Sequence, residues 1–522
     1  MNSTDEIILV IDCGTQSVRA SLIDLSGNIL QIAKSEIEPY FSVSPGMAEQ
    51  YPEYFRDKMF ETLKKLFYET KLEKERIKAV SLTTQRSTLV NLDKNGNSLR
   101  PAIIWLDQRQ TAPGKYPGKL MQLVLGFVGM REAVIHAVKN GECNWLMQHT
   151  PDIWGKTDKY LFLSGYLTYV LTGEFSDSVG NTVGYVPFDY MKHMWADEGH
   201  RNFKMFPVDR EKLPRLVKPS ETLGYISKSV SERSGIPVGL PLIAAASDKA
   251  CEVLGSGVIS PDVACLSYGT TSTVQTTHRK YFEVIPFFPA YPSAMPDYFN
   301  TEIMIFRGFW MINWFKKEFG LKETQIAEII GKSPEELFDE MIQNIPAGSM
   351  GLTLQPYWSP GVKIPGTEAK GAIIGFGDVH TRAHIYRAIL EGLAYSLKEG
   401  LIRTVKRTKS PVNKIIVSGG GSQSRQAMQI TADIFNIPTY RPRTYETSSL
   451  GAAINAAVGM GFYDDYKGAV SSMIHPGEQF LPDSKNAVIY SQLYENVYTR
   501  MYKHLQPLYK EIRDITGYPQ KI

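Results

Sequence analysis

At 522 residues the chain is too long for one hydrophobic core, and 43% hydrophobic with 21% charged residues is an ordinary globular composition, so two large domains are expected. A net charge of +3 leaves no nucleic-acid footprint, and no apolar run reaches the roughly 18–20 residues of a membrane span. The acidic start Met1-Asn2-Ser3-Thr4-Asp5-Glu6 leads into a strand rather than a signal peptide, and Cys13, Cys143, Cys251 and Cys265 lack metal-ligand spacing. A cytoplasmic protein with reduced core cysteines is expected.

The first half reads as α/β. Strands are predicted over 7–11, 18–24, 29–33, 79–83 and 242–246. A helix over 52–69 carries Phe55, Met59, Leu63 and Leu66-Phe67 on one stripe, and a second is predicted over 156–172, stopping at Gly173. Gly255-Ser256-Gly257 reads as a hinge opening the second half. Beyond it come a hairpin near 263–275, helices over 308–319 and 381–399, and a strand over 415–417. A helix through Met428, Ile430, Ile434 and Phe435 follows. From about 487 the tail is helical, rich in tyrosine and broken at Pro507.

One device occurs twice. Ile7-Ile8-Leu9-Val10-Ile11 ends in Asp12-Cys13-Gly14-Thr15-Gln16-Ser17, and Val263-Ala264-Cys265-Leu266 ends in Ser267-Tyr268-Gly269-Thr270-Thr271-Ser272; the two glycines lie 269 − 14 = 255 residues apart. Each reads as a β-hairpin whose turn lets backbone N–H groups and hydroxyls converge on phosphate oxygens. Two facing cradles, one per domain, would grip a polyphosphate in a cleft.

Two carboxylates sit at strand ends beside these turns. Asp12 could hold Mg²⁺, directly or through water, or could cap its own turn. Asp248, after the strand 242–246, could orient an attacking hydroxyl and accept its proton, or could simply cap the helix that follows. Gly419-Gly420-Gly421, between a strand and a helix, would let a flat ligand lie against backbone, and the absence of Gly-x-Gly-x-x-Gly disfavours NAD. Gln85, Arg86 and Asp107 could bond the hydroxyls of a polyol with Trp105 as an apolar wall; equally, Asp107 and Arg109 could form a structural ion pair. The nine histidines form no metal or triad pattern.

These residues resemble the FGGY family of carbohydrate kinases, within the actin/Hsp70/sugar-kinase superfamily. The resemblance spans about residues 6–465. It rests on Asp12-Cys13-Gly14-Thr15, Asp248, Gly269-Thr270-Thr271, the strand–triple-glycine–helix at 415–435, and Thr447-Ser448-Ser449-Leu450-Gly451-Ala452-Ala453. Trp154 to Phe175 and Gly371 to Ser396 are similar to the family's signatures. The resemblance implies two actin-like (ribonuclease H-like) domains, 1–255 and 256–470, closing on MgATP and a sugar, with a helical extension over 471–522. It places Gly14, Thr15, Gln16, Ser17 and Arg19, with Gly269, Thr270 and Thr271, against the phosphates. Gly419, Gly420, Gly421 and Ser424 would meet the adenosine. Gln85, Arg86, Ser87, Trp105 and Asp107 would meet the sugar. Asp248 would be the base and, with Asp12, near the metal.

The implied activity is ATP-dependent phosphorylation of a ketopentose such as xylulose, or of a glycerol-like polyol. A catalytically silent sugar or ATP sensor of the same fold is the alternative. A homodimer or higher homo-oligomer is expected. Glycerol kinases carry Asn-Gln-Arg-Glu where this chain has Thr84-Gln85-Arg86-Ser87, and xylulokinases carry Gln-Met-His. The stretch 131–146 also lacks the Pro-Lys or Ser-Gly-Thr-Lys element of both groups, so the residues leave the acceptor open.

Overall fold

Strand β1 (Ile7–Cys13) is buried along its whole length, and its side chains divide by parity. Ile7, Leu9, Ile11 and Cys13 join one apolar cluster, whereas Ile8 and Val10 join another. A strand covered on both faces needs the unbroken apolar run that the sequence supplies. In the computed structural model, residues 6–114, 116–127, 130–359 and 365–518 are described. They form two units, one of residues 1–259, 278–300 and 446–475, the other of 260–277, 301–445 and 476–522.

In the first unit, β2 (Ser17–Asp24) and β3 (Ile29–Glu36) extend β1 as an antiparallel meander. Helix α1 (Pro52–Glu69) begins with Pro52, whose missing N–H is no loss at a first helical turn. It buries Phe55, Met59, Leu63 and Leu66 against the odd-numbered face of β1. Next come β4 (Ile77–Thr84), β5 (Thr222–Tyr225) and β6 (Pro241–Ala244), giving a six-stranded sheet in the order β5-β6-β4-β1-β2-β3. β1, β4 and β6 are parallel neighbours. Helix α2 (Asp248–Gly255) follows β6 directly.

The second unit repeats the plan. β7 (Val263–Tyr268) and β8 (Ser272–His278) form an antiparallel hairpin. Helix α3 (Arg382–Thr408) leads to β9 (Lys414–Ser418), which lies parallel to β7. Helix α4 (Arg425–Phe435) then leads to β10 (Thr439–Tyr440), parallel to β9. The central order β8-β7-β9-β10 matches β2-β1-β4-β6, a hairpin followed by two parallel strands. The chain then returns to the first unit as α5 (Thr447–Gly459).

α5 packs on α2 at backbone distance. A Cβ on Gly255 would lie 1.9 Å from the Thr447 carbonyl oxygen, and one on Gly451 would lie 2.0 Å from that of Cys251. Gly255, expected at a hinge, therefore serves close helix packing. Other local expectations also change. Residues 156–172 are not one helix: Pro151–Lys156 is helical, Lys159–Phe162 is a strand paired with Leu89–Leu92, and Leu163–Thr172 is helical. Pro507 lies inside the helix Thr499–Thr516 instead of ending it. Residues 278–300 and 446–475 belong with the first unit, although the linear division put 278–300 and 446–470 with the second domain and 471–475 with the helical extension.

Candidate active site

Parallel register brings the carboxyl ends of β1, β4 and β6 level, the place where open α/β sheets hold ligands. Asp12 pairs across with Thr83, and Leu82 with Ala244. The amide of Gln85 donates to the Cys13 carbonyl at 2.9 Å, and Thr83 Oγ1 donates to the Ala246 carbonyl at 2.8 Å. Three strand ends thus deliver Asp12, Gln85-Arg86 and Asp248 to one edge of the sheet.

Asp12 is an even-numbered residue and so follows Ile8 and Val10 toward the α2 and α5 side. Its carboxylate lies 3.6 Å from the Arg19 guanidinium, which is also 3.5 Å from Glu446 at the entry to α5. Burial pushes the Asp12 carboxyl up to about 7; Arg19 opposes this, and the charges of Asp248 and Glu446 add to it. Burial also raises the Asp248 carboxyl above the usual range, against the nearby cations Lys249 and Arg86. Lys249 is in turn held 2.7 Å from Glu252. The backbone carbonyl of Asp248 accepts from Ser448 Oγ at 3.1 Å, so α5 fixes the start of α2.

The turn after β1 is tied to the acceptor candidates. Thr15 Oγ1 donates to Gln85 Oε1 at 3.1 Å and accepts from Trp105 Nε1 at 3.0 Å. The exposed Gln16 precedes β2, the buried Ser17 starts it, and the Gly14 amide donates to the Ser17 carbonyl at 3.1 Å. Ser87 has φ +53°, a region costly for a residue with a Cβ, and donates to the Val183 carbonyl at 2.8 Å. Arg86 is half-buried, with its guanidinium 5.4 Å from the ring centroid of Tyr291.

Asp107 resolves toward the ion-pair alternative. One of its oxygens accepts from the backbone and Nε of Arg109, each at 2.8 Å. The other accepts from Arg109 Nη2 at 2.7 Å and from the Ala48 amide at 2.6 Å. Both carboxylate oxygens are thus engaged by Arg109 and the Ala48 amide.

In the second unit, the turn Gly269-Thr270-Thr271 is anchored by its carbonyls. Gly269 accepts from the Phe309 amide at 3.0 Å and Thr270 from the Trp310 amide at 3.4 Å, while Thr271 Oγ1 donates to the Phe306 carbonyl at 3.2 Å. The three glycines after β9 answer three different demands. Gly419 takes φ +83°, a conformation that disfavours a Cβ. A Cβ on Gly421 would fall 2.3 Å from the ring of Phe309, whereas one on Gly420 would meet nothing within 4 Å. Gly420 alone is open to a ligand. Ser424 caps α4, accepting from the Ala427 amide at 3.0 Å, and donates to Asp339 at 2.6 Å.

Sequence reasoning missed Lys249, Tyr291, Asp339 and Glu446. Lys249 and Glu446 adjoin singled-out motifs and were within reach. Tyr291 and Asp339 arrive from distant segments and carry no local signal.

The doubled hairpin-and-parallel-strand plan, with carboxylates at strand ends and a glycine turn in each unit, defines a two-domain α/β phosphotransferase. The FGGY family of carbohydrate kinases matches twice, its N-terminal domain over residues 7–255 and its C-terminal domain over 264–460. The chain belongs to that family. It is 28% identical over 520 residues to a xylulose kinase of Staphylococcus epidermidis, covering 98% of this chain and 99% of that one. The crystal structure of xylulose kinase from Rhodospirillum rubrum superposes with a TM-score of 0.80 at 22% identity, over 97% of this chain and 100% of that one. That of Plasmodium falciparum glycerol kinase with ADP gives 0.77 at 20% identity, over 95% and 98%. The protein is a carbohydrate kinase that phosphorylates a hydroxyl of a small sugar or polyol. Among the described residues no helix is long and apolar enough to cross a membrane.

Proposed function

We propose that the acceptor is a ketopentose of the xylulose type, that the donor is MgATP, and that Asp248 is the general base. The convergence of Asp248, Arg86, Gln85 and Asp12 at the ends of three parallel strands carries the assignment of the base, and the likeness to a xylulose kinase over nearly the whole chain supports the ketopentose. A base must be ionised to accept a proton, and the flanking cations Lys249 and Arg86 favour the ionised form of Asp248 against its burial. Asp248 would take the proton of the attacking hydroxyl while Arg86 and Gln85 hold neighbouring oxygens. The planar fork of Arg86 suits two adjacent oxygens better than a single ammonium does. Trp105 supplies an apolar wall.

Among the described residues no group of three His, Cys, Asp or Glu could hold a metal ion. Two carboxylates, Asp12 and Asp248, suit Mg²⁺, which keeps water and phosphate oxygens as most of its ligands. When bound there, Mg²⁺ would neutralise charge developing on the transferred phosphoryl group. Arg19 and the turn Gly14-Thr15-Gln16-Ser17 would face the phosphates, and Gly269-Thr270-Thr271 is the corresponding turn of the second unit. The four cysteines are all buried, which fits the reducing, ATP-supplied cytoplasm as the site of action.

The test is ADP release from MgATP across a panel of xylulose, ribulose, gluconate, glycerol and erythritol. Saturable release with a ketopentose, abolished by Asp248→Asn, supports the reading. Release with glycerol alone, or with none of the sugars, overturns it.

A further inference from the structure

Residues 278–300 leave the second half of the chain between β8 and the strand Phe299–Ile305, yet belong to the first unit. Two ion pairs hold this excursion there, Glu283 with Arg201 at 3.0 Å and Asp297 with Lys218 at 2.8 Å. Tyr291 lies between these anchors. Its ring is 5.4 Å from the Arg86 guanidinium and meets Tyr190 edge-on at 5.9 Å. Tyr190 is itself fixed, its hydroxyl donating to the Gly184 carbonyl at 3.0 Å. One residue before Gly184, the Val183 carbonyl takes the hydroxyl of Ser87. Arg86-Ser87 is thus braced twice, at Arg86 by an aromatic face and at Ser87 by a backbone acceptor.

We propose that Tyr291 is a positioning residue for the sugar acceptor: it holds the plane of the Arg86 guanidinium so that its donors face the substrate hydroxyls. The excursion 278–300 thereby makes acceptor recognition in the first unit depend on the second half of the sequence. The inference rests on the reading of Arg86 as an acceptor-binding residue. A cation over an aromatic face is attracted by the ring itself, and the interaction survives loss of the phenolic hydroxyl. Loss of that face would remove one of the contacts that fix the guanidinium plane, and the cost would fall on binding of the acceptor.

The test compares Tyr291→Leu, Tyr291→Met and Tyr291→Phe in the full chain, using the panel sugar that gives the fastest ADP release. Tyr291→Leu and Tyr291→Met should raise the KM for that sugar roughly 3- to 30-fold, with kcat and the KM for ATP within about twofold. Tyr291→Phe should stay near the parent, and Tyr291→Leu should add no further loss in an Arg86→Ala background. Full additivity of the two changes would overturn the proposal, as would a Phe variant as impaired as the Leu variant or an equal rise in the KM for ATP. An unchanged sugar KM in Arg86→Ala alone would overturn instead the reading on which the proposal rests.

Discussion

Thr15 Oγ1 donates to Gln85 Oε1 at 3.1 Å, joining the turn after β1 to the turn after β4. One of these turns faces the proposed phosphates and the other the proposed acceptor, so this hydroxyl couples the two halves of the reaction. It also accepts the Trp105 indole N–H at 3.0 Å. Thr15→Val keeps the shape but strands both partners, and Thr15→Ser keeps the hydroxyl. The Val variant should lose roughly 10-fold or more in kcat/KM for each substrate, and the Ser variant little. Steady-state kinetics on the pair decide, and a Val variant impaired toward only one substrate would refute the coupling.

Asp248→Asn preserves volume and removes the proton acceptor. Turnover should fall by roughly 10² or more while ATP affinity, read by calorimetry, stays nearly constant. Because burial raises the Asp248 carboxyl, the acidic limb of kcat/KM should lie above the range of an ordinary aspartate, with activity lost as pH falls through it. A variant that retains most of its turnover with the preferred sugar would show that another group takes the proton.

Much of this site was legible in the sequence because its signals are local. A strand end and a glycine turn lie together at 7–17, and a strand end and a helix start at 242–255. The apolar run before Asp12 fixed both the strand and, through its parity, the face on which the carboxylate emerges. Chain return was not legible. Nothing within Thr447–Gly459 says that its small residues exist to meet the backbone of α2, because that need belongs to Gly255 and Cys251, almost two hundred residues earlier. The strand Lys159–Phe162 shows the same limit. Tyr160-Leu161-Phe162 fits a helix as well as a strand, and the pairing with Leu89–Leu92 decides.

Asp107 and Arg109 separate structural from binding roles. The pair is buried, with side chains 4% and 3% exposed, and Arg109 also reaches Glu49 at 2.6 Å. Removing the Asp107 charge leaves Arg109 only Glu49, which it shares with Arg100, a loss of up to about 3–5 kcal/mol for a broken buried pair. Asp107→Asn should therefore lower the melting temperature by several degrees while the sugar KM of the folded fraction moves little. A large rise in KM at unchanged melting temperature would return Asp107 to the acceptor.

Asp12 carries a pH signature. Its folded-state pKa of about 7 lies above the ordinary carboxylate value, so its contribution to stability is fully present below about pH 4 and is lost as pH rises through 7. Asp12→Asn is neutral throughout. Without nucleotide or metal, the variant should gain on the parent by about 2–3 kcal/mol between pH 5 and pH 8, although its kinase activity should drop at least tenfold. Thermal melts across that range test this; parallel curves for parent and variant would mean that Arg19 already holds Asp12 ionised.

The triple glycine yields the sharpest contrast, because its members differ in what surrounds them. A methyl on Gly421 would lie 2.3 Å from a ring carbon of Phe309, whose ring stacks on Tyr268 at 4.3 Å, so neither ring can yield without disturbing the other. Gly421→Ala should lower stability by about 1–3 kcal/mol, the range for overpacking a filled site. A methyl on Gly420 meets no protein atom within 4 Å, so Gly420→Ala should melt within a degree or two of the parent. That same open space is where the proposed adenosine would lie against the backbone. Gly420→Ala should then raise the KM for ATP severalfold, and Gly420→Val more, with the sugar KM unchanged. Melting curves and ATP titrations of the two alanine variants read out both effects. A Gly420→Ala protein with parental ATP affinity would move the nucleotide away from this turn.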